Sequence, residues 1–264
     1  MVDKSEKFRW LVRLGFAVRG LVYLLIGYLA LTASRGDMGP EGAFDMLQGA
    51  PLGAPVLYAS AVGLAAYALF RFASLLFDVE NHGTDGKGVV HRIGQGAAGI
   101  AYLTLAWTAF QFAGGEKTAP TGGATKEAAG TLLTFSFGSL ALGVIGLGFA
   151  AAAVVQAKSA FSAGFRRQIA SDAPAIATPL GRAGLAARAV VFLIIGWSLV
   201  RSAWFGSSQE VKTLGDAIGT LATSGLLYTL VAVGLVLFGL FSLLLARYRI
   251  IPEIDSSDLK PTLN

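Results

Sequence analysis

The chain has 264 residues, 54% of them hydrophobic and only 14% charged, with a formal net charge of +5 and a mean hydropathy of +0.63. Soluble domains carry about a quarter charged residues, so this composition excludes an ordinary soluble fold. The absence of cysteine excludes disulfides, thiolate chemistry and cysteine-ligated zinc or iron–sulfur centres.

In chain order, six apolar stretches reach the roughly 20 residues that a helix needs to cross a bilayer core of about 30 Å: 11–33, 55–77, 92–113, 132–156, 182–204 and 224–246. None alternates in polarity as the strands of a membrane barrel do. The predicted class is therefore an all-α integral membrane protein. The first stretch has a basic flank (Lys4, Lys7, Arg9), as a secretory signal does, but Arg13 and Arg19 interrupt it and its pattern returns mid-chain. A cleavable signal would not recur there.

The recurring pattern is Arg13, Gly15, Arg19, Tyr23 and Gly27, repeated as Arg182, Gly184, Arg188, Phe192 and Gly196. A middle copy has Arg92, Gly94, Ala98, Tyr102 and Ala106, so the second arginine is missing. The return stretches carry their own echo at Gly63, Gly146 and Gly234. Gly63 and Gly234 lie 171 positions apart, as do Asp45 and Asp216 in short amphipathic connections at Pro40–Gln48 and 210–221. Proline at the start of the first connection, with apolar residues at helical spacing, predicts a short helix there. The chain reads as one membrane domain of three helical hairpins, approximately 9–80, 88–165 and 178–250, followed by a disordered cytoplasmic tail over 251–264. An even number of helices per unit inserts every copy the same way up, giving parallel repeats in a pseudo-threefold bundle.

Lys and Arg concentrate on the side of the N-terminus, leaving Arg35, Lys117, Lys126, Arg201 and Lys212 for the other side. The positive-inside rule then places both termini in the cytoplasm. It also accounts for the basic pI of 9.6 without nucleic acid as a partner. Trp10 and Trp204 sit where interfacial anchors belong.

With Arg-x-Gly-x-x-x-Arg followed by an aromatic in the two outer copies, a degraded copy between them, and the connection from Asp78 to Gly88, the sequence resembles the bacterial membrane family catalogued as domain of unknown function 1206. The resemblance implies paired-helix repeats, usually in three copies, in a bacterial plasma membrane. It implies no activity. The middle copy departs from the signature at Ala98, which weighs against any function that needs three equivalent arginines.

Spacing by four puts Gly15, Arg19, Tyr23 and Gly27 on one helix face, and Gly184, Arg188, Phe192 and Gly196 on another. Small residues let membrane helices approach closely. Gly15, Tyr23, Gly27, Gly63, Gly94, Tyr102, Gly146, Gly184, Phe192, Gly196 and Gly234 are accordingly expected to be packing positions. The arginines Arg13, Arg19, Arg92, Arg182 and Arg188 are the candidate lipid- or anion-binding residues, because a guanidinium matches phosphate with a planar fork. Arg19 lies about 9 Å deeper than Arg13 at ~1.5 Å per residue, and three readings stand open for it. It snorkels to the headgroups, pairs with a helix-end carboxylate such as Asp78, or holds an anion.

No Asp or Glu falls within the spans, against the usual pattern of cation and proton carriers. Gly94-Gln95-Gly96-Ala97-Ala98-Gly99 matches a dinucleotide fingerprint, but that site needs a preceding strand and turn, and these glycines align with the repeat. His82 and His91 have no helical register for a metal, and no catalytic triad is legible. The sequence thus points to a non-enzymatic membrane protein without cofactor or metal that binds membrane lipid, anionic headgroups included, or a protein partner. The alternative is a small channel or carrier for an anion along the axis.

Overall fold

The computed structural model describes residues 4–32, 39–77, 86–116 and 123–251. They form nine α-helices: α1 (Lys4–Thr32), α2 (Pro40–Gln48), α3 (Gly53–Phe77), α4 (Gly86–Ala113), α5 (Gly123–Leu133), α6 (Gly138–Ser162), α7 (Ala177–Phe205), α8 (Leu214–Thr220) and α9 (Leu226–Tyr248). The predicted Asp78 and His82, the start of the loop at 78–85 and the tail at 252–264 lie outside the described residues.

Long helices alternate with short ones, and the local chemistry explains the boundaries. α2 starts with Gly39 as N-cap and Pro40 in the first turn, where a missing N–H costs nothing. It buries Ala43 and Phe44. Between α2 and α3 the chain turns so tightly that a Cβ on Gly53 would lie 1.9 Å from the Leu47 carbonyl oxygen. α7 ends at Gly206, whose φ of 61° is the left-handed cap that glycine adopts without steric cost. α8 opens with a capping box in which Thr213 and Asp216 exchange side-chain-to-backbone hydrogen bonds, satisfying the first-turn amides.

Five helices are long and apolar enough to cross a membrane: Val12–Thr32, Gly53–Phe77, Gly138–Ser162, Ala177–Phe205 and Leu226–Tyr248. Five of the six expected spans thus meet that criterion among the described residues. The expected third span is helical as α4, but Arg92, Gln95 and Gln111, with interspersed glycines and threonines, dilute its apolar content.

The long helices pack mainly across the unit boundaries. α3 packs on α4, α6 on α7, and α9 on α1; within units, α1 packs on α3 and α7 on α9. α4 and α6 make no comparable contact. Small residues set the close approaches: a Cβ on Gly27 would meet the Val236 backbone at 2.8 Å, and one on Gly196 the Gly146 carbonyl at 2.8 Å. Backbones this close gain dispersion contacts that lipid tails cannot supply.

Candidate anion-binding site

The first arginine of each repeat stands near the end of the preceding unit's return helix. Arg92 donates from Nε to the Leu75 carbonyl at 2.8 Å and from Nη2 to Leu76 at 3.1 Å. Arg182 does the same at the end of α6, to Ala160 at 3.0 Å and Phe161 at 2.6 Å. The last carbonyls of a helix lack amide partners and carry the negative end of its dipole. A guanidinium there satisfies both and ties one unit to the next. Of the candidate anion ligands, these two therefore direct Nε and Nη2 to backbone carbonyls. Arg13 makes no equivalent bond; its guanidinium lies 5.8 Å from the Trp10 ring, and its buried Nε has no partner.

The second arginine has a different environment. Arg19 is only 5% exposed, which replaces the snorkelling reading with an inward one. Its Nη1 donates to the Tyr67 hydroxyl at 2.6 Å and its Nε to Ser242 at 3.2 Å. Phe16, Tyr67 and Phe238 surround its guanidinium, with ring centroids 4.6, 5.2 and 5.1 Å away. Arg188 faces Phe238 at 4.5 Å, Phe192 at 4.8 Å and Tyr23 at 5.4 Å. Among the described residues, neither arginine pairs with a carboxylate, and the buried Arg188 Nε has no hydrogen-bond partner.

Both guanidiniums share the Phe238 ring, at 5.1 and 4.5 Å, so they are at most about 10 Å apart. At an effective dielectric of ~20 their repulsion is roughly 2 kcal/mol. Each cation–π contact returns about 0.5–2 kcal/mol, but the rings carry no net charge. Tyr102 on α4 completes the centre: its ring meets Tyr67 edge-on at 4.6 Å. Five long helices thus converge on a polar centre of two arginines, three tyrosines and Ser242. Towards one end, Arg71 also donates to the Tyr67 hydroxyl and to Gln95.

The sequence profile described as Domain of Unknown Function (DUF1206) matches this chain three times, at residues 14–74, 93–163 and 183–249. The chain belongs to the DUF1206 family. A bacterial relative, described as uncharacterized protein YxxB of Bacillus subtilis (strain 168), is 29% identical over 260 residues, covering 93% of this chain and 94% of that protein. No solved structure matches.

The three DUF1206 matches make the positional comparison concrete. The motif aromatics Tyr23, Tyr102 and Phe192 pack edge-on against Phe238, Tyr67 and Phe149, at 4.8, 4.6 and 5.3 Å. Each partner is on the previous unit's return helix. The early glycines face their own unit instead. A Cβ on Gly15 would meet Tyr67 at 2.6 Å, and one on Gly184 the Phe238 Cα at 2.6 Å. Gly63 and Gly234 oppose Val18 and Ala187, at 2.4 Å each. Gly94 is the exception: it is exposed with open space around it, because α4 has no α6 packed against that face. Its expected packing role is corrected accordingly.

Tyr67, Phe238 and Ser242 escaped sequence reasoning, although a signal existed. Tyr67 and Phe238 each follow a return-helix glycine by one turn, at Gly63 and Gly234. The fingerprint-like run from Gly94 to Gly99 lies inside α4, directly preceded by helix from Gly86. Among the described residues, no group of His, Asp and Glu is arranged to hold a metal.

Proposed function

We propose that this DUF1206 protein is a non-enzymatic binding protein of the bacterial plasma membrane that holds a phosphate-bearing anion, chiefly a lipid headgroup, between Arg19 and Arg188. The observation that carries this reading is the pair itself: the buried Arg19 and half-buried Arg188 guanidiniums on one phenyl ring, without a carboxylate partner among the described residues. An anion between them would reverse their repulsion and take the Arg188 Nε donor. Both arginines occur only in the outer repeats, so one asymmetric site fits better than three equivalent ones.

The accompanying architecture is six crossings with both termini in the cytoplasm and the units around a shared axis. α4 serves as the sixth crossing in this reading, because it packs along α3 and exposes Ile100, Leu103, Trp107 and Phe110 outwards. In chain order the long helices form a ring whose neighbours all pack except α4 with α6, which is consistent with threefold units and one loosened seam.

The test is to extract the protein with its native lipids and weigh what remains bound by native mass spectrometry. Anionic lipid should be retained by the wild type, and a folded Arg19→Ala/Arg188→Ala chain should hold one such lipid fewer. Equal retention by the two would refute the site. The polar centre also favours a second reading, an anion pathway along the axis. Reconstituted vesicles with no anion flux above protein-free controls would remove it.

A further inference from the structure

The two cap arginines and Arg13 occupy equivalent motif positions, yet Arg13 does not cap α9. That helix end is held by other means. The Arg249 amide donates to the Leu245 carbonyl at 3.1 Å, and an antiparallel bridge joins Ile169 to Arg249. The bridge adds Ala170 N–H to the Tyr248 carbonyl at 2.8 Å and Ile250 N–H to Gln168 at 2.9 Å. With α9 closed by backbone, Arg13 instead lines a cavity of about 370 Å³ together with Ala170, Asp172, Arg247, Tyr248 and Arg249. Small-ligand pockets run from about 300 to 1,000 Å³, so this volume suits a small headgroup or free anion.

The donor set is specific in kind. Among the described residues, Arg13 and Arg247 make no hydrogen bond or ion pair; their guanidiniums rest on the Trp10 and Tyr248 rings, at 5.8 and 5.6 Å. Arg249 donates from Nη1 to the Gln168 amide oxygen at 3.0 Å and lies over Phe16 at 5.0 Å. Asp172 is exposed and, among the described residues, forms no ion pair with Arg13 or Arg247, so those two guanidiniums line the cavity unpaired. Planar guanidiniums with unused forks recognise phosphate oxygens in pairs.

The geometry points to a second anion site here, for a terminal phosphate group, bound by Arg13 and Arg247 with Arg249 supporting. It is separate from the buried pair and does not depend on what that pair holds. On the proposed topology it opens at the cytoplasmic headgroup level. Phosphatidate and inorganic phosphate share the recognised group.

The test uses the full chain in two settings. In detergent, equilibrium dialysis measures radiolabelled inorganic phosphate at ionic strength held constant with chloride. In nanodiscs of phosphatidylcholine with or without phosphatidate, native mass spectrometry measures bound lipid. Arg13→Gln/Arg247→Gln should lose at least tenfold in affinity, and Arg247→Gln alone a smaller but measurable part. The Arg19→Ala/Arg188→Ala chain should keep the site. Binding of phosphate alone assigns a soluble source, and binding of phosphatidate alone assigns the lipid; either supports the site. No binding of either probe to the wild type would overturn it. So would a cavity variant that loses no more than the buried-pair variant.

Discussion

Gly184 and Gly94 occupy the same place in their repeats and should respond oppositely to alanine. At Gly184 the added Cβ would lie 2.6 Å from the Phe238 Cα and 2.8 Å from its amide nitrogen. Backbone cannot swing aside as a side chain can, so α7 and α9 must separate. Overpacking of this kind costs about 1–3 kcal/mol, against a helix-propensity gain of about 0.5–1 kcal/mol. At Gly94 nothing lies within 4 Å, so only the gain remains. For a chain of this size 1 kcal/mol corresponds to roughly 2–4 °C in midpoint. Thermal unfolding in detergent, read as loss of the monodisperse species, should therefore fall by several degrees for Gly184→Ala and hold or rise slightly for Gly94→Ala. If both variants shift in the same direction, the asymmetry between the α7–α9 contact and the open face of α4 is wrong.

Other perturbations probe other links. Arg182→Ala should destabilise the chain by about 1.5–3 kcal/mol, the range for hydrogen bonds from a charged donor, because both Ala160 and Phe161 carbonyls lose a partner; unfolding midpoints check it. Tyr67→Phe removes the hydroxyl that accepts from Arg19 and Arg71 and should cost about 1–3 kcal/mol while preserving the aromatic pair with Tyr102. A midpoint unchanged from wild type would contradict the packing described for Arg19. Thr213→Ala removes the N-cap of α8 and should cost about 1 kcal/mol, with its effect confined to faster amide exchange in the first turn of α8.

Much of the fold was legible because its causes are local. Run length and apolarity located the long helices, and proline with helical spacing placed α2 at the bounds where it occurs. Triplication followed from the recurrence of Arg13, Arg92 and Arg182. The count of apolar crossings was less secure, since α4 dilutes its hydrophobic content with Gln95 and Gln111, and a window of composition cannot weigh support from a neighbouring helix. The short helix α5 carried no proline or amphipathic signal of comparable strength.

What each motif position does was decided only by tertiary structure. Sequence makes Arg13, Arg92 and Arg182 equivalent; the three differ because helix ends at α3 and α6 offer carbonyls, while the bridge at Ile169 and Arg249 closes α9 without them. Likewise Arg19 reads from sequence as a charge within the first span that could snorkel, pair or hold an anion, yet the approach of α3 and α9 turns it inward onto Tyr67, Phe238 and Ser242. A helix is written by residues a few positions apart. The environment of a guanidinium is written by residues that lie far away along the chain, as Ser242 does from Arg19, and only packing brings them within reach.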